Sequence, residues 1–218
     1  MRLQKADEEV EMGSQEKDIF FIKQLNLEEI IDIYEAEAVK HFPQDELKPA
    51  MAIVRMYEAD AYEGLALYKR TDFGKDGAQA VLAGYALFAK VPETDILLLD
   101  YYAVLEEHRN SGVGSLFLGL MREQYKDRAA MLIETELVEK AKNGEDKALR
   151  IRRNVFYERN GCRESSVRSR LFSVDFGIFV MPLGVVFSDK QVYDGLEAIY
   201  RYMFTGDIYE KNVWIGWK

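Results

Sequence analysis

Gly112 and Gly114 stand just behind a polar run, residues 106–111, which itself follows an apolar run over 96–105. From Ser115 onward Leu116, Phe117, Leu120 and Met121 recur at helical spacing, with Arg122, Glu123 and Lys126 on the far side. This pattern predicts strand, glycine loop, helix. Backbone N–H groups at a helix start have no intrahelical partner, and the helix dipole adds partial positive charge there, so the loop is a ready anion site. Glycine lets the backbone approach a phosphate with no Cβ in the way. The chemistry predicted is a pyrophosphate cradle. A second constellation lies on the apolar stretch 129–137, where Glu134 and Glu136 are two residues apart and share one face, with Thr135 opposite. Glutamates are unusual in an otherwise apolar strand, and a solvated strand end is one reading of them. Asp100, inside the apolar run, is open to two readings, a base or substrate-charge partner and a hydrogen-bonded structural group. The single Cys162 has no histidine near it in sequence, which argues against a nucleophile.

These residues need a scaffold. Residues 1–17 are polar without apolar periodicity and read as a flexible N-terminal arm. A first strand is expected over 18–25, then a helix capped by Asn26 and ended by Phe42-Pro43, then a second helix from about Asp45. Strands over 62–69 and 79–90 flank a turn, TDFGKDG, as a hairpin. The run 96–105 and the glycine loop follow. After them come a helix, the strand 129–137, a helix that Asp146 can cap and Gly161 ends, and strands near 165–174 and 176–186. A last helix carries Val192, Leu196, Ile199, Tyr200 and Met203 on one face, and an aromatic tail with Trp214 and Trp217 closes the chain. Three divisions follow: an arm over 1–17, a domain over 18–186, and a C-terminal helix and tail over 187–218, packed on the domain or on a partner chain. The exposed-tryptophan reading of that tail makes a homodimer one expectation.

The 218 residues suffice for one well-buried domain, and 31% charged residues is ordinary for a globular chain. No apolar run approaches a membrane span of about 20 residues, and the start MRLQKADEEVEMG lacks the apolar core of a signal peptide. With the lone cysteine, this favours a cytoplasmic protein without a membrane partner. Two histidines and one cysteine make a nitrogen- and sulfur-rich metal site unexpected, and no metal is predicted. A net charge of −9 argues against nucleic acid and suits a cationic partner such as an amine.

Two families place glycines after a strand. In the dinucleotide fold GxGxxG follows the strand at once; here Phe117 occupies the third glycine position and the element order differs, although Glu134 lies about where a ribose-binding acid would stand. The run Arg109-Asn110-Ser111-Gly112-Val113-Gly114 instead closely resembles the RxxGxG acetyl-CoA motif of the GNAT N-acetyltransferase superfamily. The helix ending Asn154-Val155-Phe156-Tyr157-Glu158-Arg159-Asn160-Gly161-Cys162 is similar to that superfamily's second signature, with Cys162 where phenylalanine is usual. The resemblance covers residues 18–186. It implies an α/β (α+β) GNAT fold: a mixed, mostly antiparallel sheet of about seven strands flanked by helices, here with an extra C-terminal helix. It implies acetyl-CoA as acyl donor, its pyrophosphate on Arg109, Asn110, Ser111, Gly112, Val113, Gly114 and Ser115. Its pantetheine arm would pair with Tyr102, Ala103 and Val104 like an added strand and bond Asn154. The N–H of Val104 would polarise the thioester, Tyr157 would serve as general acid, and Glu134, Glu136 or Asp100 as the acceptor of the amine's proton. The basic trio Arg150, Arg152 and Arg153 is open to a phosphate contact or to surface pairing with Glu145 or Asp146. The expected activity is acetyl transfer to a small-molecule or peptide amine by direct attack on the thioester. The alternative is a CoA- or acyl-CoA-binding protein without catalysis.

Overall fold

The computed structural model describes residues 9–12, 18–44, 46–72, 78–92 and 94–218. Alternating and continuous apolar runs become nine strands among these residues: β1 Glu9–Met12, β2 Asp18–Gln24, β3 Tyr62–Asp72, β4 Ala78–Lys90, β5 Ile96–Val104, β6 Ala130–Glu136, β7 Arg163–Leu171, β8 Val174–Pro182 and β9 Val213–Trp217. They form one mixed sheet in the order β1-β2-β3-β4-β5-β6-β8-β7-β9. The pair β5–β6 is parallel, from Ile96↔Ala130 to Leu99↔Ile133. The pairs β1–β2, β2–β3, β6–β8, β7–β8 and β7–β9 are antiparallel. The span expected to hold about seven strands holds β2 to β8, and β1 and β9 extend the sheet at its two ends.

The helices are α1 Leu27–Ile33, which continues through a π turn, Tyr34–Ala38, into α2 Val39–His41; then α3 Ala50–Glu58, α4 Val113–Gln124, α5 Gly144–Arg159, α6 Asp189–Met203 and α7 Asp207–Asn212. Four features differ from the sequence reading. Within the arm 1–17, residues 9–12 are a strand on β2; the rest of the arm lies outside the described residues, as do Asp45 and residues 73–77 of the expected hairpin turn. The second helix begins at Ala50, after Pro49. The aromatic tail is a strand, because its β-branched and aromatic residues suit a pleated edge and β7 supplies the partner groups. Asn143, not Asp146, caps α5: its side chain accepts from the Asp146 N–H at 2.9 Å.

The chain divides into two compact units. The first comprises Met1–Tyr57, Glu63–Leu87 and Tyr101–Leu120. Its helix α1 starts in a reciprocal cap, Asn26 Oδ1 accepting from Glu29 N at 2.9 Å and Glu29 Oε2 from Asn26 N at 3.0 Å. Its core includes Phe20, Ile30, Tyr34, Leu65, Leu67, Tyr85 and Phe117.

The second unit comprises Glu58–Tyr62, Phe88–Asp100 and Met121–Lys218, with a core of Leu97, Leu98, Met131, Leu132, Ile133, Phe179 and Val180. Here α6 begins in a reciprocal cap of Ser188 and Gln191 and buries Val192, Gly195, Leu196, Ile199 and Tyr200. A Cβ on Gly195 would stand 2.2 Å from Ile96 Cδ1, so the missing side chain is what lets α6 close onto β5. Trp214 and Trp217 on β9 are half exposed, and Tyr193 of α6 stacks on Trp217 with ring centroids 5.4 Å apart.

Candidate active site

In the first unit the glycine loop joins the end of β5 to α4. Leu105 N–H donates to Ala83 O of β4 at 2.9 Å. Successive N–H groups of a strand point to opposite edges, so that of Val104 points away from β4. The turn Glu106–His108 is 3₁₀, Asn110 is left-handed with φ +61° and Gly112 has φ +88°. Ser111 Oγ donates to His108 O at 2.6 Å. The first bond into α4 runs from Leu116 N–H to Gly112 O, 3.1 Å, which leaves the N–H groups of Val113, Gly114 and Ser115 without an intrahelical acceptor. A Cβ built on Gly112 meets nothing within 4 Å. Glycine is needed here for its φ, and the backbone faces open space.

The loop is braced from both ends. Tyr102 Oη donates to Gly114 O at 2.8 Å, its ring 5.6 Å from that of Phe117. Arg109 Nε donates to Val104 O at 2.8 Å, which leaves its Nη groups for an anion. The same unit holds both histidines, of which the sequence reads His108 as a loop residue rather than a base. His41 Nδ1 lies 3.0 Å from Tyr85 Oη with the rings stacked. Burial, then the charge of Arg109, lowers the His41 pKa, and burial raises that of Tyr85. His108 meets Phe20 edge to face and its Nε2 is buried without a hydrogen-bond partner among the described residues.

In the second unit α5 carries the other signature. Tyr157 is 6% exposed, its ring 5.2 Å from Phe156 and 6.0 Å from Phe179 of β8. Burial holds its phenol well above the usual range and therefore protonated. Three residues earlier, Asn154 Oδ1 is buried and has no hydrogen-bond partner among the described residues. A buried orphan acceptor is rare in folded proteins and marks a place where a donor is missing. Cys162 is buried with its thiol pushed up to about 12, so the position is a packed thiol at neutral pH.

The two glutamates of β6 have separate partners. Glu136 accepts from Arg150 Nη2 at 2.6 Å and meets Arg153 Nη1 at 3.5 Å. Arg150 also donates to Asp146 Oδ1 at 2.9 Å and to Leu137 O at 2.8 Å. Arg150 is thus buried and turned inward, not part of an exposed basic cluster, because the end of β6 offers it two acceptors and the first turn of its own helix a third. Glu134 Oε1 accepts from Tyr200 Oη and, at 3.1 Å, from Ser169 Oγ. Asp100 Oδ2 accepts from Tyr62 Oη at 2.7 Å. Tyr200 and Ser169 were not singled out for chemistry from sequence. The one available signal was a tyrosine on the apolar stripe of the last helix, whose hydroxyl must find an acceptor when buried.

No protein-family model matches the chain, and no curated protein matches it. Solved structures do. A protein assigned to the GNAT family acetyltransferases from Bacteroides thetaiotaomicron is 17% identical, with 83% of this chain and 95% of that one covered and a TM-score of 0.59. One from Desulfovibrio desulfuricans is 18% identical over 76% of this chain and 99% of that one, TM-score 0.52. Spermidine N-acetyltransferase from Vibrio cholerae, solved with CoA and spermine, is 10% identical over 75% and 95%, TM-score 0.52. At such identities the likeness is one of fold. The chain has the fold of the GNAT acetyltransferases.

Proposed function

We propose that the protein transfers an acetyl group from acetyl-CoA to a primary amine by direct attack on the thioester. The observation that carries this reading is the start of α4 in a GNAT fold, where three N–H groups lack an intrahelical acceptor, the backbone at Gly112 faces open space, and Arg109 is tied to the loop through Val104 O. The orphaned Asn154 Oδ1 supports it, since the amides of a pantetheine arm are donors of the kind it lacks.

Acetyl-CoA supplies a thioester, whose carbonyl carbon the amine attacks as the C–S bond breaks. Val113, Gly114, Ser115 and Arg109 bind the pyrophosphate, with Asn110, Ser111 and Gly112 shaping the loop. Tyr102, Ala103 and Val104 align the pantetheine arm, and Val104 N–H polarises the carbonyl. Tyr157 Oη gives its proton to the departing thiolate; burial keeps the phenol in the protonated form this needs. Glu134 takes the proton released by the amine nitrogen. Glu136, engaged by Arg150 and Arg153, ties α5 to β6 instead. The acceptor class is a small cationic amine, consistent with the net charge of −9 and with the fold shared with a spermidine N-acetyltransferase.

The test is CoA release from acetyl-CoA across a panel of polyamines, aminoglycosides, amino acids and short peptides. Release with one class, lost in Tyr157→Phe, supports the enzyme. Acetyl-CoA binding without release on any amine favours the second reading, an acyl-CoA-binding protein.

A further inference from the structure

Asp100 and Glu134 lie on neighbouring parallel strands, each one residue beyond the last paired rung, Leu99↔Ile133. Each receives a tyrosine hydroxyl from a different element: Tyr62 of β3 for Asp100, Tyr200 of α6 for Glu134. Ser169 of β7 adds a second hydroxyl to Glu134, and its Oγ is 3.0 Å from Tyr200 Oη. Tyr200 and Ser169 are 0% and 1% exposed, whereas Glu134 is only partly covered. On its other flank β8 sets apolar Ile178 opposite Glu134. Groups that face the carboxylate thus include Tyr200 from α6 and Ser169 from β7, with the charge of Asp100 on the neighbouring β5.

Packing alone does not explain this tyrosine. Phenylalanine would fill the same space, and a fully buried hydroxyl is tolerated only with a partner. The seating of α6 is tight enough to fix where that hydroxyl goes: the Ser188–Gln191 cap sets the helix start and Gly195 the approach to Ile96. Burial first, then the charge of Glu134, raise the Tyr200 phenol well above its ordinary range, so Tyr200 is the donor and Glu134 the acceptor.

We infer that Tyr200, together with Ser169, is a positioning residue for Glu134, fixing the orientation of its carboxylate and holding it in proton-accepting form. This rests on the reading of Glu134 as the group that receives the amine's proton. Hydroxyl donors favour the charged form of a carboxylate, while burial and a like charge such as Asp100 oppose it. The C-terminal helix would thereby reach the chemistry without touching the substrate.

The test uses the full chain labelled with ¹³C at glutamate side-chain carboxyls, the Glu134 signal being assigned by its loss in Glu134→Gln. In Tyr200→Phe the Glu134 titration midpoint is expected to move up by about one pH unit, and in Ser169→Ala by less. The acid limb of kcat/KM, measured with the amine that releases most CoA in the panel, should move by the same amount. An unmoved midpoint in both variants overturns the inference, as does a moved midpoint with an unmoved acid limb. Ser169→Ala provides the reading if Tyr200→Phe does not fold. If no amine releases CoA, the acetyltransferase reading has failed and the inference falls with it, whatever the carbon signal shows about the Tyr200–Glu134 contact.

Discussion

A buried carbonyl oxygen without a donor lowers stability by about 1–3 kcal/mol, so Asn154 is a poor choice for stability alone. Its replacement by leucine should leave thermal stability unchanged or raise it by about 1 kcal/mol, while acetyl-CoA affinity falls roughly tenfold, as a calorimetric titration beside a thermal melt would show. An affinity unchanged in Asn154→Leu would remove this residue from the proposed site. At Tyr157 the expected outcome is kinetic. Tyr157→Phe keeps the packing against Phe179 and loses the proton donor, so kcat should fall about 100-fold with the KM for acetyl-CoA nearly constant. Both residues stand out as candidates in the sequence because they sit in one short helical signature. Glu134 and Glu136 were legible only as a pair on one face. What separates them are Tyr200 and Arg150, partners that arrive from distant elements, and no local pattern encodes such contacts.

Among the elements, α5 owes its position to Arg150, which joins Asp146 on its own first turn to Glu136 and Leu137 at the end of β6. Arg150→Met should destabilise the fold by roughly 2–3 kcal/mol, less than the ~3–5 expected for a fully buried pair because Glu136 keeps some solvent contact. Chemical denaturation measures this, and a loss within about 0.5 kcal/mol would mean that α5 is held by packing alone. Acid should act on the same joints. The Arg150 hydrogen bond, then the Lys142 N–H, lower the Asp146 pKa. Burial raises that of Asp189, but bonds from Ser166 and Arg163 outweigh it and leave it lowered. The Lys23 hydrogen bond, then the Asn26 N–H, lower that of Glu29. A carboxylate with a lowered folded-state pKa stabilises the fold above its unfolded-state pKa and ceases to do so as pH falls through the folded one. The melting temperature should therefore drop as the solution is acidified below about pH 4, after a smaller fall that begins near about pH 6.5, where burial makes the His41 ring resist the proton that the unfolded chain accepts. A melting temperature flat down to about pH 2 would deny these carboxylates a net role. The elements themselves were legible where their signals are local, as in the apolar run of β5, the glycines before α4 and the left-handed Gly161 after α5. The edge strands β1 and β9 were not, since a short polar or aromatic segment becomes a strand only when β2 or β7 offers it an edge.

For the molecule as a whole, the fold was legible because two signatures stood on the right elements in the right order, and the acceptor was not, because the residues that would choose it come from several elements. Net charge of −9 favours a cationic acceptor and adds no further specificity. Calorimetry with acetyl-CoA on the intact protein and on Gly112→Glu asks whether the loop before α4 is an acetyl-CoA cradle. A Cβ at Gly112 meets open space, but φ +88° disfavours any L side chain and the new carboxylate would face the pyrophosphate. Saturable binding is expected for the intact protein, weakened at least about 100-fold in Gly112→Glu, in a variant that still melts cooperatively. Failure of the intact protein to bind acetyl-CoA, or equal binding by a folded Gly112→Glu, would contradict the cradle reading.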